Sequence, residues 1–324
     1  MPVELPPLLD RRLIIITGKG GTGKTTVAAA LAVAAARQGR SVLIAEVGGE
    51  EQIPQFITPG HPPVGYAGSE LLPGLTSIHI DPHKALAEYL GLQLHLRGIV
   101  DLLLRNKGFA QLLDATPGWR ELITLGKVWH LAQMKDPQGD PLYELIVVDA
   151  PSTGHGLTFL DVPRVVGSAV RKGPLRSHAH LVEELVRDPH QTLLLPVSLA
   201  EELPARETAE LVRRAKEEIG VAIDRIVVNA VAQSPFPAGV GDLDGRLRQL
   251  GDADVGSLPR PAVLASCAEY LRGRHELNAR YVEQIRRDCR QPLVTLPYLP
   301  GGLVGADRLD AFAAPLFART ESAT

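Results

Sequence analysis

Nine consecutive residues hold the densest chemistry in the chain: Gly18, Lys19, Gly20, Gly21, Thr22, Gly23, Lys24, Thr25 and Thr26. Gly18, Gly23, Lys24 and Thr25 satisfy the G-x-x-x-x-G-K-[ST] spacing of a phosphate-binding loop. The glycines let backbone N–H groups converge on one concavity. The start of the following helix adds positive potential, Lys24 neutralises β- and γ-phosphate charge, and Thr25 offers a hydroxyl to Mg²⁺. Asp149 closes the apolar run "ELIVVDA", where a carboxylate can reach the magnesium shell; a helix-capping role is the alternative. One lysine is enough to hold a nucleotide, so Lys19 needs a separate reason.

The elements that must position these residues are legible as alternating runs. "RLIIIT", "SVLIAEV", "LTSIHI", "ELIVVDA", "HQTLLLPVS", "RIVVNAV" and "PLVTLPYLP" are apolar on both faces, as strands of a parallel sheet covered by helices should be. They predict one α/β domain over 1–324, doubly wound and mostly parallel, with helices on both faces. Between about 83 and 136 the periodicity is helical and no strand is expected, so a helical subdomain is predicted there. A second helical patch is expected over about 155–190, and the Pro- and Gly-rich segment Pro54 to Gly74 reads as a long loop.

Composition narrows the function. With 34 Lys+Arg against 37 Asp+Glu, no field favours nucleic acid or an anionic membrane as partner. The longest apolar run, Val27 to Ala36, is too short to span a bilayer, so no direct membrane insertion is expected and a cytoplasmic location is. Cys267 and Cys289 form neither a C-x-x-C pair nor a disulfide framework. His79, Asp81 and His83 alternate as metal ligands on a strand would, but Pro82 argues for a strand-to-helix join instead. His178, His180 and His190 read as solvated surface.

The stretch Lys19 to Thr26 has the form K-G-G-x-G-K-T-T, and "DAPSTGHGLTFLDVP" carries Thr153-Gly154-His155. "IDPHKALAEYL", "VSLAEELPARETAELVRRA" and "VTLPYLPGGLVGADRL" extend the pattern over nearly the whole chain. On these motifs the sequence resembles the arsenite-pump and tail-anchored-protein-targeting ATPases, which are P-loop proteins with a deviant Walker A motif. The resemblance implies ATP and Mg²⁺ as ligands, with Thr25 and Asp149 on the metal side. It implies a homodimer, or a dimer with a paralogue, in which Lys19 reaches the partner's nucleotide. Asn229 would recognise the adenine edge, with a turn residue after its strand as the alternative, and Pro297 would lie in the adenine-side loop. His155 belongs to a switch-like segment, with helix capping as the alternative. The Leu-rich helices from Gly91 to Leu113 would form either a core or a groove for a hydrophobic client protein.

Two features depart from that family. Gly48 stands opposite the aspartate that positions the attacking water, so the expected general base is missing; Glu46, Glu50 or Glu51 could place a carboxylate near that water, and Glu46 is expected first because it ends a strand. No thiolate cluster or zinc C-x-x-C is present. The expected function is a Mg²⁺-dependent ATPase acting as a dimeric switch. A slow or non-hydrolysing binding module is the alternative, and a partition or positioning ATPase is less favoured.

Overall fold

β-Branched and aliphatic runs favour strands, and eight strands form a single sheet in the computed structural model. The structure describes residues 7–94, 111, 118–151, 153–169, 172–234, 243–251 and 259–318. The strands are β1 (Leu13–Thr17), β2 (Val42–Val47), β3 (Ser69–Leu72), β4 (Leu75–Ile80), β5 (Leu145–Asp149), β6 (Thr192–Leu199), β7 (Ile226–Val231) and β8 (Leu293–Pro297). Their order is β3-β4-β2-β5-β1-β6-β7-β8, and every neighbouring pair is parallel except β3 with β4.

Successive strand residues point to opposite faces, so each central strand feeds two cores. On β1, Ile14 and Ile16 face one core while Leu13 and Ile15 face the other. The first core is closed by α1 (Lys24–Arg37), the short α2 (Ile53–Ile57) and α10 (Ala306–Ala313). Val27 to Ala36 of α1 are all buried, because alanine lets a helix lie close to the sheet. The second core is covered by α3 (Pro82–Leu94), α4 (Trp119–Gln133), α5 (Thr153–Ala169), α6 (Pro174–Arg187), α7 (Glu202–Arg214) and α9 (Pro261–Cys289); α8 (Leu243–Gln249) packs on α9. Among the described residues, no helix is long and apolar enough to cross a membrane.

The segment Pro54 to Gly74 corrects the reading as a long loop. It holds most of α2, a 3₁₀ turn at Gly65–Ala67, and β3, which pairs antiparallel with β4 at the sheet edge. Four half-exposed residues have no period to read, and only pairing with β4 makes them a strand. Most of the Leu-rich stretch from Gly91 to Leu113 lies outside the described residues.

Candidate functional site

The C-terminal ends of β1, β2, β5, β6 and β7 gather at one edge of the sheet, and the phosphate loop leaves β1 there. Its shape is enforced by crowding. A Cβ on Gly18 (φ 152°) would collide with the carbonyl oxygen of Val197 on β6, and one on Gly23 (φ 86°) would strike the Asn229 amide on β7. The carbonyl of Lys19 closes the turn from within, accepting from the Thr22 hydroxyl at 2.9 Å and the Lys24 ammonium at 3.1 Å. Burial lowers the Lys24 pKa, and Asp149 opposes that shift.

Thr25 and Asp149, 124 residues apart in the chain, meet at the start of α1. The Thr25 hydroxyl donates to Asp149 Oδ2 at 2.6 Å, while Oδ1 is buried with no hydrogen-bond partner. Burial pushes the carboxyl up to about 6, against the Thr25 hydrogen bond and the Lys24 charge. Asp149 is in register with Ile16 of β1 and Glu46 of β2, and Glu46 with His79 of β4, so the side chains of these neighbouring positions share a face.

Glu46 is buried, and its carboxylate receives the Gln52 N–H at 2.9 and 3.0 Å and the Ile53 N–H at 3.2 Å, satisfying the first amides of α2. Burial raises its pKa to about 7, against those hydrogen bonds, with Asp149 adding to the rise. Glu51 similarly accepts from Val64 at 2.7 Å and Gly65 at 3.0 Å. Glu50 is exposed. Gly48 (φ 73°) and Gly49 (φ 67°) precede it in open space.

Lys19 lies outside this pocket of charge. Its ammonium is 2.6 Å from Glu207 on α7, with both side chains about one-third exposed (30% and 36%). The next residue, Thr208, is buried and donates to Ser198 on β6 at 2.9 Å, which fixes the helix face that carries Glu207. The sequence offered no signal for this pairing, because a Glu in an amphipathic helix ordinarily faces water.

Asn229 is buried, with Nδ2 donating to the Thr22 carbonyl at 2.9 Å. Pro297 pairs with Val231 at the end of β8, on the same sheet edge. Thr153 and Gly154 open α5 directly after the Asp149 strand; their side chains and that of His155 lie outside the described residues. Asp81 accepts the N–H groups of His83 and Lys84, at 2.8 and 2.9 Å, and His83 stacks edge-on with Trp119, so these residues serve the strand-to-helix join. His178 corrects the surface reading: it is half-buried between Tyr89 and Trp129, and lies where a Cβ on Gly126 would press on its ring. His180 and His190 are exposed.

A glycine-crowded loop, a Thr–Asp pair and a second lysine occupy one sheet edge, and the anion-transporting ATPase family model matches residues 11–178, which contain all of them. The chain belongs to the anion-transporting ATPase family. It is 36% identical over 224 residues to the ATPase BagA of Mycobacterium tuberculosis, covering 67% of this chain and 64% of that protein. It is 31% identical over 180 residues to the ATPase get3 of Neurospora crassa, covering 53% and 50%. A putative arsenical pump-driving ATPase of Halobacterium salinarum matches at 24% over 331 residues, 96% of this chain but 45% of its own length. The chain thus spans less than two thirds of these relatives.

Proposed function

We propose that the chain is a Mg²⁺-dependent ATPase working as a nucleotide-operated switch, in which ATP brings two subunits together across Lys19. The observation that carries this reading is the Thr25–Asp149 pair at the mouth of the phosphate loop, with Asp149 Oδ1 left buried and unpartnered. A hard cation with oxygen ligands suits that donor set, so Thr25 and Asp149 would hold Mg²⁺. When bound, Mg²⁺ neutralises charge on the β- and γ-phosphates. The loop amides and Lys24 orient the triphosphate. Glu46, buried beside Asp149 with a pKa of about 7, would take the proton of the attacking water, since a base is most effective when its pKa lies near the working pH.

The Lys19 ammonium is turned to Glu207 on α7, while only its backbone carbonyl serves its own phosphate loop. In the closed dimer it would leave Glu207 and stabilise charge on the partner's transferring phosphoryl group. Asp149 runs through Ala150 and Pro151 into α5, giving a route from the γ-phosphate to the helical layer. There a cavity of about 370 Å³ opens between α3, α4 and α6, lined in part by Tyr89, Trp129 and His178, and it would be a contact for a client or partner protein.

Steady-state hydrolysis and calorimetric ATP binding test the reading together. Lys24→Ala should abolish binding, whereas Lys19→Ala should keep binding and lose about a thousandfold in turnover, as removing an in-trans cation does. Undiminished turnover by Lys19→Ala would end the in-trans role. A second reading, a switch that turns over rarely, is favoured by Gly48 together with the commitment of Glu46 and Glu51 to loop amides. Single-turnover measurements showing bound ATP that persists would select it.

A further inference from the structure

Both ends of the Asn229 amide are in use. Oδ1 accepts the N–H of the next residue, Ala230, at 2.8 Å, and Nδ2 donates to the Thr22 carbonyl inside the phosphate loop at 2.9 Å. A backbone N–H only donates and a carbonyl only accepts, so the amide cannot be turned around without losing both bonds. The local backbone is bent to allow this. Ala230 sits at φ 52°, a conformation costing a non-glycine residue about 1–2 kcal/mol. The pairing of β7 with β8 slips between Val228 and Val231, as a bulge that re-aims a side chain does.

The phosphate loop is shaped to the same amide. Gly23 is the residue before α1, and any Cβ there would occupy the place of Asn229 Nδ2. Behind Asn229 the chain is clamped: Asn278 of α9, only 2% exposed, accepts the Ala232 N–H at 2.8 Å and donates to Ala200, just past β6, at 2.9 Å. His275 contacts the Ala232 carbonyl at 2.8 Å. The strand end that carries Asn229 is therefore tied to α9 and to β6, the strand whose Val197 crowds Gly18.

We propose that Asn229 is a positioning residue that braces the phosphate loop through Thr22, and so governs binding of the triphosphate group whatever base is attached. This rests on the reading that the loop binds nucleotide phosphates. An adenine reader would act on the base alone, whereas a brace acts equally on a phosphate chain with no base.

The test is titration of the full chain, with Mg²⁺ present, by ATP, GTP and inorganic triphosphate, comparing wild type with Asn229→Ala and the near-isosteric Asn229→Asp. The brace predicts that all three affinities fall by the same factor, about tenfold, as when a buried carbonyl loses its donor. It also predicts that Gly23→Ala weakens triphosphate binding less in the Asn229→Ala background than alone, because the Cβ enters space the amide has left. A loss confined to ATP overturns the proposal, as does an equal effect of Gly23→Ala in both backgrounds. If thermal melts show Asn229→Ala unfolded, Asn229→Asp carries the three-ligand comparison, with the same equal losses expected and the same ATP-only loss overturning the brace. Wild-type protein that binds none of the three overturns the phosphate-loop reading and the brace with it; wild-type binding matched by both variants overturns the brace alone.

Discussion

The phosphate loop after β1 and the glycine-bearing loop after β2 lie at the same edge of the sheet and are held in opposite ways. The first is confined by backbone and amide atoms of β6 and β7, which leave no room for a Cβ at Gly18 or Gly23. The second has two left-handed glycines in open space, and is anchored by the carboxylates of Glu46 and Glu51. Steric confinement does not depend on pH or ligand charge. The Glu46 anchor does, because protonation or a nearby cation changes what it holds. A sterically confined loop thus sits beside one held by carboxylate hydrogen bonds.

The largest expected break in this contrast is Gly18→Ala against Gly48→Ala. At Gly18 the new Cβ meets a backbone carbonyl that cannot yield cheaply, so calorimetry should show nucleotide binding lost and melting should show about 3 kcal/mol or more of destabilisation. At Gly48 only the left-handed backbone matters, for about 1–2 kcal/mol with binding retained. Equal damage at both positions would erase the distinction.

The next effect is on pH dependence. The Glu46 carboxyl moves from its ordinary 4.5 to about 7 on folding, so the folded state holds this proton more tightly than the unfolded chain. Its contribution to stability is therefore full below about pH 4.5, declines as pH rises toward 7, and is level above that. Melting of the nucleotide-free protein should show a loss on the order of 3 kcal/mol across that window, with Asp149 adding to it in the same direction. Glu46→Gln should flatten most of the slope; an unchanged slope would mean Glu46 does not titrate there.

The smallest effect on stability and the most specific on assembly belongs to Glu207→Gln. The Lys19–Glu207 pair is partly exposed and is worth less than about 1 kcal/mol to the fold. Freeing Lys19 should nevertheless lower the ATP concentration at which light scattering detects a dimer. No change in that concentration would show that the ion pair does not oppose closure.

Much of this site was legible because its signals are local. The phosphate loop and Asp149 are read from spacing at the ends of apolar runs, and the seven runs correspond to seven of the eight strands. Glu46 was legible as a strand end but not as the cap of α2, which depends on how the chain turns back from Gly48 to Gln52. His178 was misread because its helix looks polar in sequence, while the space over Gly126 that receives its ring belongs to another helix.

The sequence by itself determined the fold class, the glycine-rich loop after β1 and the family, since each depends on residues close together in the chain and on the periodicity of burial. Only the tertiary structure decided that Lys19 rests on Glu207, that Asn229 holds Thr22, and that Ser69–Leu72 is an edge strand. Those contacts join residues brought together only by the packing of β3 on β4, β7 beside β6, and α7 against β6. A hydrogen bond or ion pair depends on ångström-scale geometry that residue type and spacing do not encode.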